Sequence, residues 1–181
     1  AMIRKIIRMG HPNLRKIAQP YPKDQIGSEE FRGLIEDMRE TLTESGGIGL
    51  AAPQINVPYR LVVINTKTSK SRYGDLPTIP VTTYINPVVT VLDDNLAGVW
   101  EGCLSIPQIR GFVERQQNIR VDWIDETGLQ KTLDAKGLLA TVFQHEFDHL
   151  NGILFIDRVH DNSKISFDDE FDLYHQPTER K

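Results

Sequence analysis

His145 and His149 stand four residues apart, with Glu146 directly after the first. On a helix, side chains at i and i+4 lie one above the other, so both imidazoles can address a single point. Two imidazoles meeting there suit a divalent metal, and a carboxylate beside them can take a proton from a water that the metal holds. Leu138, Leu139, Val142, Phe143, Phe147 and Leu150 recur around this segment at helical spacing. Such a stripe digs the helix into a core and leaves its polar residues in a dry pocket.

Two imidazoles do not complete a site. In one class of H-E-x-x-H sequences a third histidine follows six residues after the second. Here Gly152 fits that pattern, but its last position is Phe155, so the third ligand must come from elsewhere. Cys103, the only cysteine, lies in residues 100–107, where glycine and proline predict a tight, irregular backbone. A thiolate with two imidazoles leaves one tetrahedral position open, as catalytic sites do.

The elements that must position these residues follow from the rest of the chain. A length of 181 residues suits one domain. We read a core over 2–157 and a polar, acidic tail over 158–181. Ser28 precedes Phe31, Leu34, Ile35, Met38 and Leu42, with Glu29 and Glu30 in the first turn, which predicts an amphipathic helix ending at Gly46-Gly47. The run from Gly47 through Ile48 and Gly49 to Gln54 is small and apolar until its final residue. Its glycines either weaken a buried strand or let an extended peptide pair closely as an added strand, and both readings stand. Residues 61–65 predict a buried strand, 83–92 a second one interrupted at Asn86-Pro87, and 67–80 a polar loop with Lys67, Lys70 and Arg72 on a solvated face. Ile119, Val121 and Trp123 alternate ahead of a turn at 126–128 and a strand over 129–133, giving a hairpin. Gly137 opens the histidine-bearing helix, and 153–156 reads as a last short strand. The turn at 10–15 and the stretch that Pro20 and Pro22 keep extended read as a surface arm, and a chain ending after Ile165 is expected to keep its activity. Strands and helices without regular alternation indicate an α+β fold with a mainly antiparallel or mixed sheet.

A net charge of −4 argues against a general nucleic-acid or anionic-membrane binder. The expected partner is a small or peptidic substrate, with no DNA and no membrane. No apolar run approaches the roughly 20 residues of a membrane span, and the single cysteine excludes an internal disulfide. A cytoplasmic location is expected.

Three stretches together resemble the peptide deformylase family: Gly47 to Gln54, Glu101-Gly102-Cys103-Leu104-Ser105, and Gln144-His145-Glu146-Phe147-Asp148-His149-Leu150-Asn151-Gly152. The likeness runs from the Gly10-His11-Pro12-Asn13-Leu14-Arg15 opening to about Asp157. It implies removal of the formyl group from the N-terminal methionine of nascent chains, and an α+β fold whose strands wrap a central metal-bearing helix. It also implies that Cys103, His145 and His149 bind a divalent metal, ferrous iron natively, with zinc, nickel or cobalt able to occupy the site. Glu146 would be the general base and acid. The Gln54 amide and the Leu104 backbone N–H would stabilise the oxyanion, a need of any acyl transfer.

A metal-bound imidazole commonly passes its other N–H to a carboxylate, which nominates Glu101 and Asp148, while Arg110 either holds Glu101 or lies on the surface. Gly47, Ile48 and Gly49, with Leu138, Thr141 and Val142 on the His145 face of its helix, are candidates for binding the substrate peptide. One departure is the acidic tail, where many bacterial relatives end in a basic helix suited to ribosomal RNA; ribosome proximity stays open, and docking through the tail is in doubt. Two alternatives remain at this stage. One is an H-E-x-x-H zinc peptidase using Glu170 in place of Cys103, and the other an inert domain that binds peptide N-termini.

Overall fold

Leu61, Val62, Val63 and Ile64 are apolar at four successive positions, and a strand of that composition needs cover on both faces. The computed structural model, which describes residues 1–67 and 76–176, supplies that cover. Five strands, β1 (Gly49–Ala51), β2 (Leu61–Ile64), β3 (Thr82–Val91), β6 (Asn118–Ile124) and β7 (Gln130–Lys136), form a sheet in the order β1-β2-β3-β6-β7. A second sheet of three contains β4 (Leu96–Cys103), β5 (Ile106–Gln116) and β8 (Ile165–Phe167), in that order. Every strand pairing within the two sheets is antiparallel, which decides between the antiparallel and mixed expectations.

Two helices cover the larger sheet. From α1 (Glu29–Ser45), Phe31, Ile35, Met38 and Leu42 pack with Leu61, Val63, Ile85 and Ile124. From α2 (Leu138–Asp148), Leu139, Val142, Phe143 and Phe147 pack with Val62, Ile64, Tyr84, Ile119 and Val121 on the opposite face. The alternation of β2 side chains thus feeds two cores at once. The smaller sheet meets α2 through β5, with Cys103, Ile106 and Val113 gathered against Leu154 and Phe155. The short α2, which carries the indifferent helix formers Thr141 and Val142, would be marginal alone. Propensity differences of less than about 1 kcal/mol are small beside the roughly 1.5–3 kcal/mol gained per buried large apolar side chain, so packing between the sheets fixes this helix. Among the described residues no helix is long and apolar enough to cross a membrane.

The ends of α1 follow the sequence signals. Ser28 Oγ accepts from the Phe31 N–H at 3.1 Å, and Gly46 closes the helix at φ 71°. Asn86 takes φ 51° where β3 shifts register between Ile85 and Val88, which is the interruption seen in the sequence. Of the 67–80 loop, residues 68–75 lie outside the described residues, and Lys70 and Arg72 with them.

Three expectations are corrected, and the tail, open between a short helix and fraying, forms the helix. The irregular 100–107 segment is mostly a regular hairpin, with irregularity confined to the register shift at Gly102/Cys103 and the two-residue connection Leu104-Ser105. Residues 153–156 do not form a strand. A 3-10 turn, Phe155–Arg158, stands there because the Asp157 carboxylate accepts from the Leu154 N–H at 2.9 Å. The opening segment is no loose arm, since Ile7, Leu14, Ala18 and Tyr21 are all buried. The acidic tail also docks: in α3 (Asp168–Tyr174), Phe171 is 5% exposed, packed on Trp100 and under the Arg110 guanidinium, while Phe167 stays 61% exposed.

Phe171→Ala should therefore lower unfolding stability by about 3 kcal/mol, the low end for an aromatic truncation at a partly adaptable site. Urea titration checks this. An unchanged midpoint would mean that the tail is dispensable after all.

Candidate metal centre

Helical spacing and hairpin geometry bring the chemistry together. The C-terminal half of α2 offers His145 and Glu146, the 3-10 turn that continues it offers His149, and the end of β4 offers Glu101 and Cys103. The donor atoms of Cys103, His145 and His149 lie within 4.8 Å of one another, all three residues being buried. Cys103 Sγ and His149 Nε2 are 3.4 Å apart. Donors of a small divalent ion with bonds of about 2.0–2.3 Å stand roughly 3.3–3.6 Å apart, the separation that Cys103 and His149 already have. The donor set fits a divalent ion.

The surrounding charges prepare those donors. Burial acts most strongly on the Cys103 thiol and would raise its pKa, but the charges and hydrogen bonds of His149 and His145 prevail and hold it well below the usual thiol value. That favours the thiolate, the form that ligates. His145 Nδ1 lies 2.8 Å from Glu101 Oε1. Donation to that carboxylate fixes the tautomer and leaves the Nε2 lone pair for a metal. Glu101 is fully buried; burial alone would raise its pKa, but the bonds from His145 and Arg115 pull it below the ordinary value.

Glu146 differs. Burial raises its carboxyl, against the lowering influence of the two histidines. Its Oε1 is 4.0 Å from His145 Nε2, and its buried Oε2 has no protein partner among the described residues. Buried polar atoms are seldom left unpaired, so Oε2 marks the place for a water or a substrate atom. Gly49 makes this possible: a Cβ there would fall 2.6 Å from Glu146 Cδ. The bare backbone at 49 thus has a packing reason inside the site. At Gly47 a Cβ would meet Leu104 Cδ1 at 3.0 Å.

The remaining candidates divide. Gln54 is 1% exposed, and its Oε1 accepts from the Ala51 N–H at 2.9 Å, which turns the NH₂ end toward Ser105 Oγ at 3.2 Å and Cys103 Sγ at 3.6 Å. Leu104 occupies the connection beside Cys103 and is half-buried. Ile48 is buried in the α2 core, and its carbonyl accepts from the Asn65 N–H at 2.7 Å. Thr141 and Val142 are buried and Leu138 half-buried, with Thr141 Oγ1 accepting from Gln117 Nε2 at 3.3 Å. Glu170 is exposed on α3, and that helix docks through Phe171 on Trp100 and Arg110 of the β4–β5 hairpin. It does not join the cluster of metal donors, which removes the observation that the peptidase alternative needed.

Arg110 does not hold Glu101. It pairs with Asp168 at 2.8 Å, because positions 110 and 101 sit on different faces of the hairpin. The guanidinium that does hold Glu101 belongs to Arg115, a residue the sequence reading missed. Its Nε and Nη2 donate to the two Glu101 oxygens at 2.7 and 2.9 Å, and Nη1 donates to Asp148 Oδ2 at 2.9 Å. Burial would lower the Arg115 pKa, but the carboxylates of Glu101 and Asp148 raise it above the usual value. Asp148 also accepts both ends of Arg158, at 2.6 and 2.9 Å. A line of alternating charge therefore runs from His145 through Glu101, Arg115 and Asp148 to Arg158.

A polypeptide deformylase profile matches residues 3–164, most of this chain. The chain belongs to the peptide deformylase family. Peptide deformylase 2 of Pseudomonas syringae pv. tomato is 44% identical over 168 residues, covering 93% of each chain. A peptide deformylase of Leptospira biflexa is 39% identical over 170 residues, 94% of this chain and 95% of that one. Among solved structures, the Thermotoga maritima peptide deformylase superposes with a TM-score of 0.78 at 35% identity, covering 89% of this chain and 100% of that one. A class I type b peptide deformylase of Acinetobacter baumannii bound to Met-Ala-Ser gives 0.82 at 32% identity, covering 87% and 98%. As a deformylase, this enzyme carries out the metal-dependent removal of the N-formyl group from the N-terminal methionine of nascent polypeptides.

Proposed function

We propose that Cys103, His145 and His149 hold the divalent ion of this deformylase, ferrous iron natively, and that Glu146 is its general base and acid. The observation that carries this reading is the convergence of three buried donors next to a buried, unpartnered carboxylate oxygen. Mixed nitrogen and sulfur donors accept several first-row ions, so zinc, nickel or cobalt can substitute. When bound, the ion supplies Lewis acidity, polarising the formyl carbonyl and making water acidic enough to deprotonate near neutrality.

The chain's own residues do the rest. Glu146 takes the proton of the attacking water at Oε2 and later gives it to the leaving amine, so that formate and a free N-terminal amine result. Gln54 Nε2 and the Leu104 N–H meet the negative charge that develops on the formyl oxygen. Glu101 keeps His145 in the right tautomer, and Arg115 keeps Glu101 ionised. Among the described residues β1 pairs only with β2 and so ends its sheet. The stretch leading into it, Gly47 to Gly49, is where we place the extended substrate peptide, with Leu138, Thr141 and Val142 toward its methionine side chain. We assign the work to one catalytic domain spanning 1–181, acting in the cytoplasm on emerging chains. α3 carries Asp168, Asp169, Glu170 and Asp172, a charge unsuited to ribosomal RNA, so no ribosome docking through the tail is proposed.

Comparison of formyl-Met, acetyl-Met and unmodified Met tripeptides tests the reading. A formyl carbon bears only hydrogen, whereas an acetyl methyl would meet rigid metal ligands and backbone. The penalty should exceed the ~1–3 kcal/mol that a methylene is worth in a yielding pocket, giving at least about a hundredfold preference in kcat/KM. Comparable acetyl cleavage would indicate a general deacylase, and hydrolysis of the unmodified peptide would indicate a protease.

A further inference from the structure

Two buried polar side chains of α1, Asp37 at 8% and Thr41 at 2% exposure, take no part in the chemistry above. Both face the segment of residues 2–9. Asp37 Oδ1 accepts from the Met2 N–H at 2.8 Å, Thr41 Oγ1 accepts from the Arg4 N–H at 2.8 Å, and Asp37 Oδ2 receives Arg4 Nε at 2.9 Å. Farther along, the Ile7 N–H donates to the Gln54 carbonyl and the Met9 N–H to the Ser105 carbonyl, each at 2.8 Å. The segment is thus fixed to α1 at one end and to two separate parts of the site at the other.

Those two parts are the ones that carry the oxyanion donors. Gln54 follows β1, whereas Leu104 and Ser105 form the connection between β4 and β5 in the other sheet. A direct link between them is the side-chain bond from Gln54 Nε2 to Ser105 Oγ, and that same NH₂ is the group required to meet the substrate. An NH₂ has two hydrogens, so one can hold Ser105 while the other meets the substrate. This single bond to a side-chain hydroxyl fixes the distance between donors only as well as the two rotamers do, and a tie through backbone atoms fixes it independently. The backbone N–H groups of Ile7 and Met9, two residues apart, provide one. Ile7 is buried, which shields its bond to the Gln54 carbonyl from water, while Met9 is 42% exposed.

We propose that residues 2–9 are a positioning strap, anchored by Asp37 and Thr41, which sets the separation of the Gln54 amide and the Leu104 N–H and thereby the oxyanion geometry. This rests on the oxyanion reading given above. Oxyanion donors act through preorganisation, and a misplacement of about 1 Å can cost on the order of a hundredfold.

A double-mutant cycle on the metal-loaded enzyme tests the strap. Asp37→Ala combined with Thr41→Val removes the anchors, Gln54→Ala removes a donor, and all three are then combined. The anchor variant should lose roughly tenfold in kcat, with KM within about twofold and bound metal unchanged. In the Gln54→Ala background the same anchor change should lower kcat by less than about twofold, because coupled residues are non-additive. Asp37→Asn, which keeps an acceptor for the Met2 N–H, should recover most of the rate. Equal losses in both backgrounds, a loss expressed in KM, or a loss of bound metal would overturn the strap, showing that the segment merely supports the fold. Gln54→Ala alone separates the two ideas: normal kcat there sinks the oxyanion reading itself, whatever the anchors do.

Discussion

Cys103→Ala is expected to lose most of its bound metal and, with it, nearly all deformylation. Removal of a partner that merely orients a metal ligand typically costs 10–100-fold in metal affinity, so removal of a ligand should cost more than about a hundredfold. The thiolate is also the one anionic donor among the three, and its loss leaves two neutral imidazoles. Gln54 and Ser105 currently point N–H groups at its sulfur; those would be left facing a void. His149→Ala should behave alike, because His149 Nε2 already stands 3.4 Å from the sulfur. Metal content after dialysis, measured beside the circular dichroism of each variant, checks the expectation. Full occupancy in folded Cys103→Ala would remove cysteine from the ligand set.

The parts of this site whose meeting in space followed from spacing alone were those with a period, while Cys103 was reached as the single cysteine and Gln54 through the family resemblance. His145, Glu146 and His149 share a helix, and helical spacing alone predicts their meeting. The apolar stripe of α1 and the uniformly apolar β2 are equally direct. What escaped was whatever depended on strand parity. Residues 106–116 contain Pro107, Gly111 and three charged residues, which hid an eleven-residue strand. Once that strand is recognised, Gly111, Val113 and Arg115 share its inner face, while Arg110 must point outward. Arg110, left open between holding Glu101 and lying on the surface, thus stands on the wrong face to reach it. The same cause explains the tail. Phe171 finds its cover on the outer surface of the β4–β5 hairpin, at Trp100 and Arg110, and nothing in the local pattern around 167–172 announces a surface that distant parts of the chain create. The strap was invisible for a related reason, since its bonds to Gln54 and Ser105 use backbone atoms that every residue possesses.

Glu146→Gln should retain both fold and metal yet lose roughly 10²–10⁴-fold in kcat, the range over which general acid–base groups act. The substitution is nearly isosteric, which matters because this side chain lies so near Gly49 that a Cβ there would fall 2.6 Å from its Cδ. An amide cannot accept the water proton or return one to the leaving amine, so both halves of the reaction suffer. The pH profile supplies a second, independent reading. Burial raises the Glu146 carboxyl above its ordinary value, with the histidines opposing. A base works only when unprotonated, so kcat/KM in the parent enzyme should be complete above the Glu146 pKa and decline as pH falls through it. Burial pushes this acid limb upward and a bound dication pushes it down, and in Glu146→Gln the limb should vanish from the residual rate. Measuring kcat/KM against pH for both proteins, with metal content verified at each end, distinguishes this from a ligand effect, because protonation of Cys103 or the histidines would release metal and Glu146→Gln would leave that loss in place. Near-normal turnover in the variant would rule out Glu146 as the base.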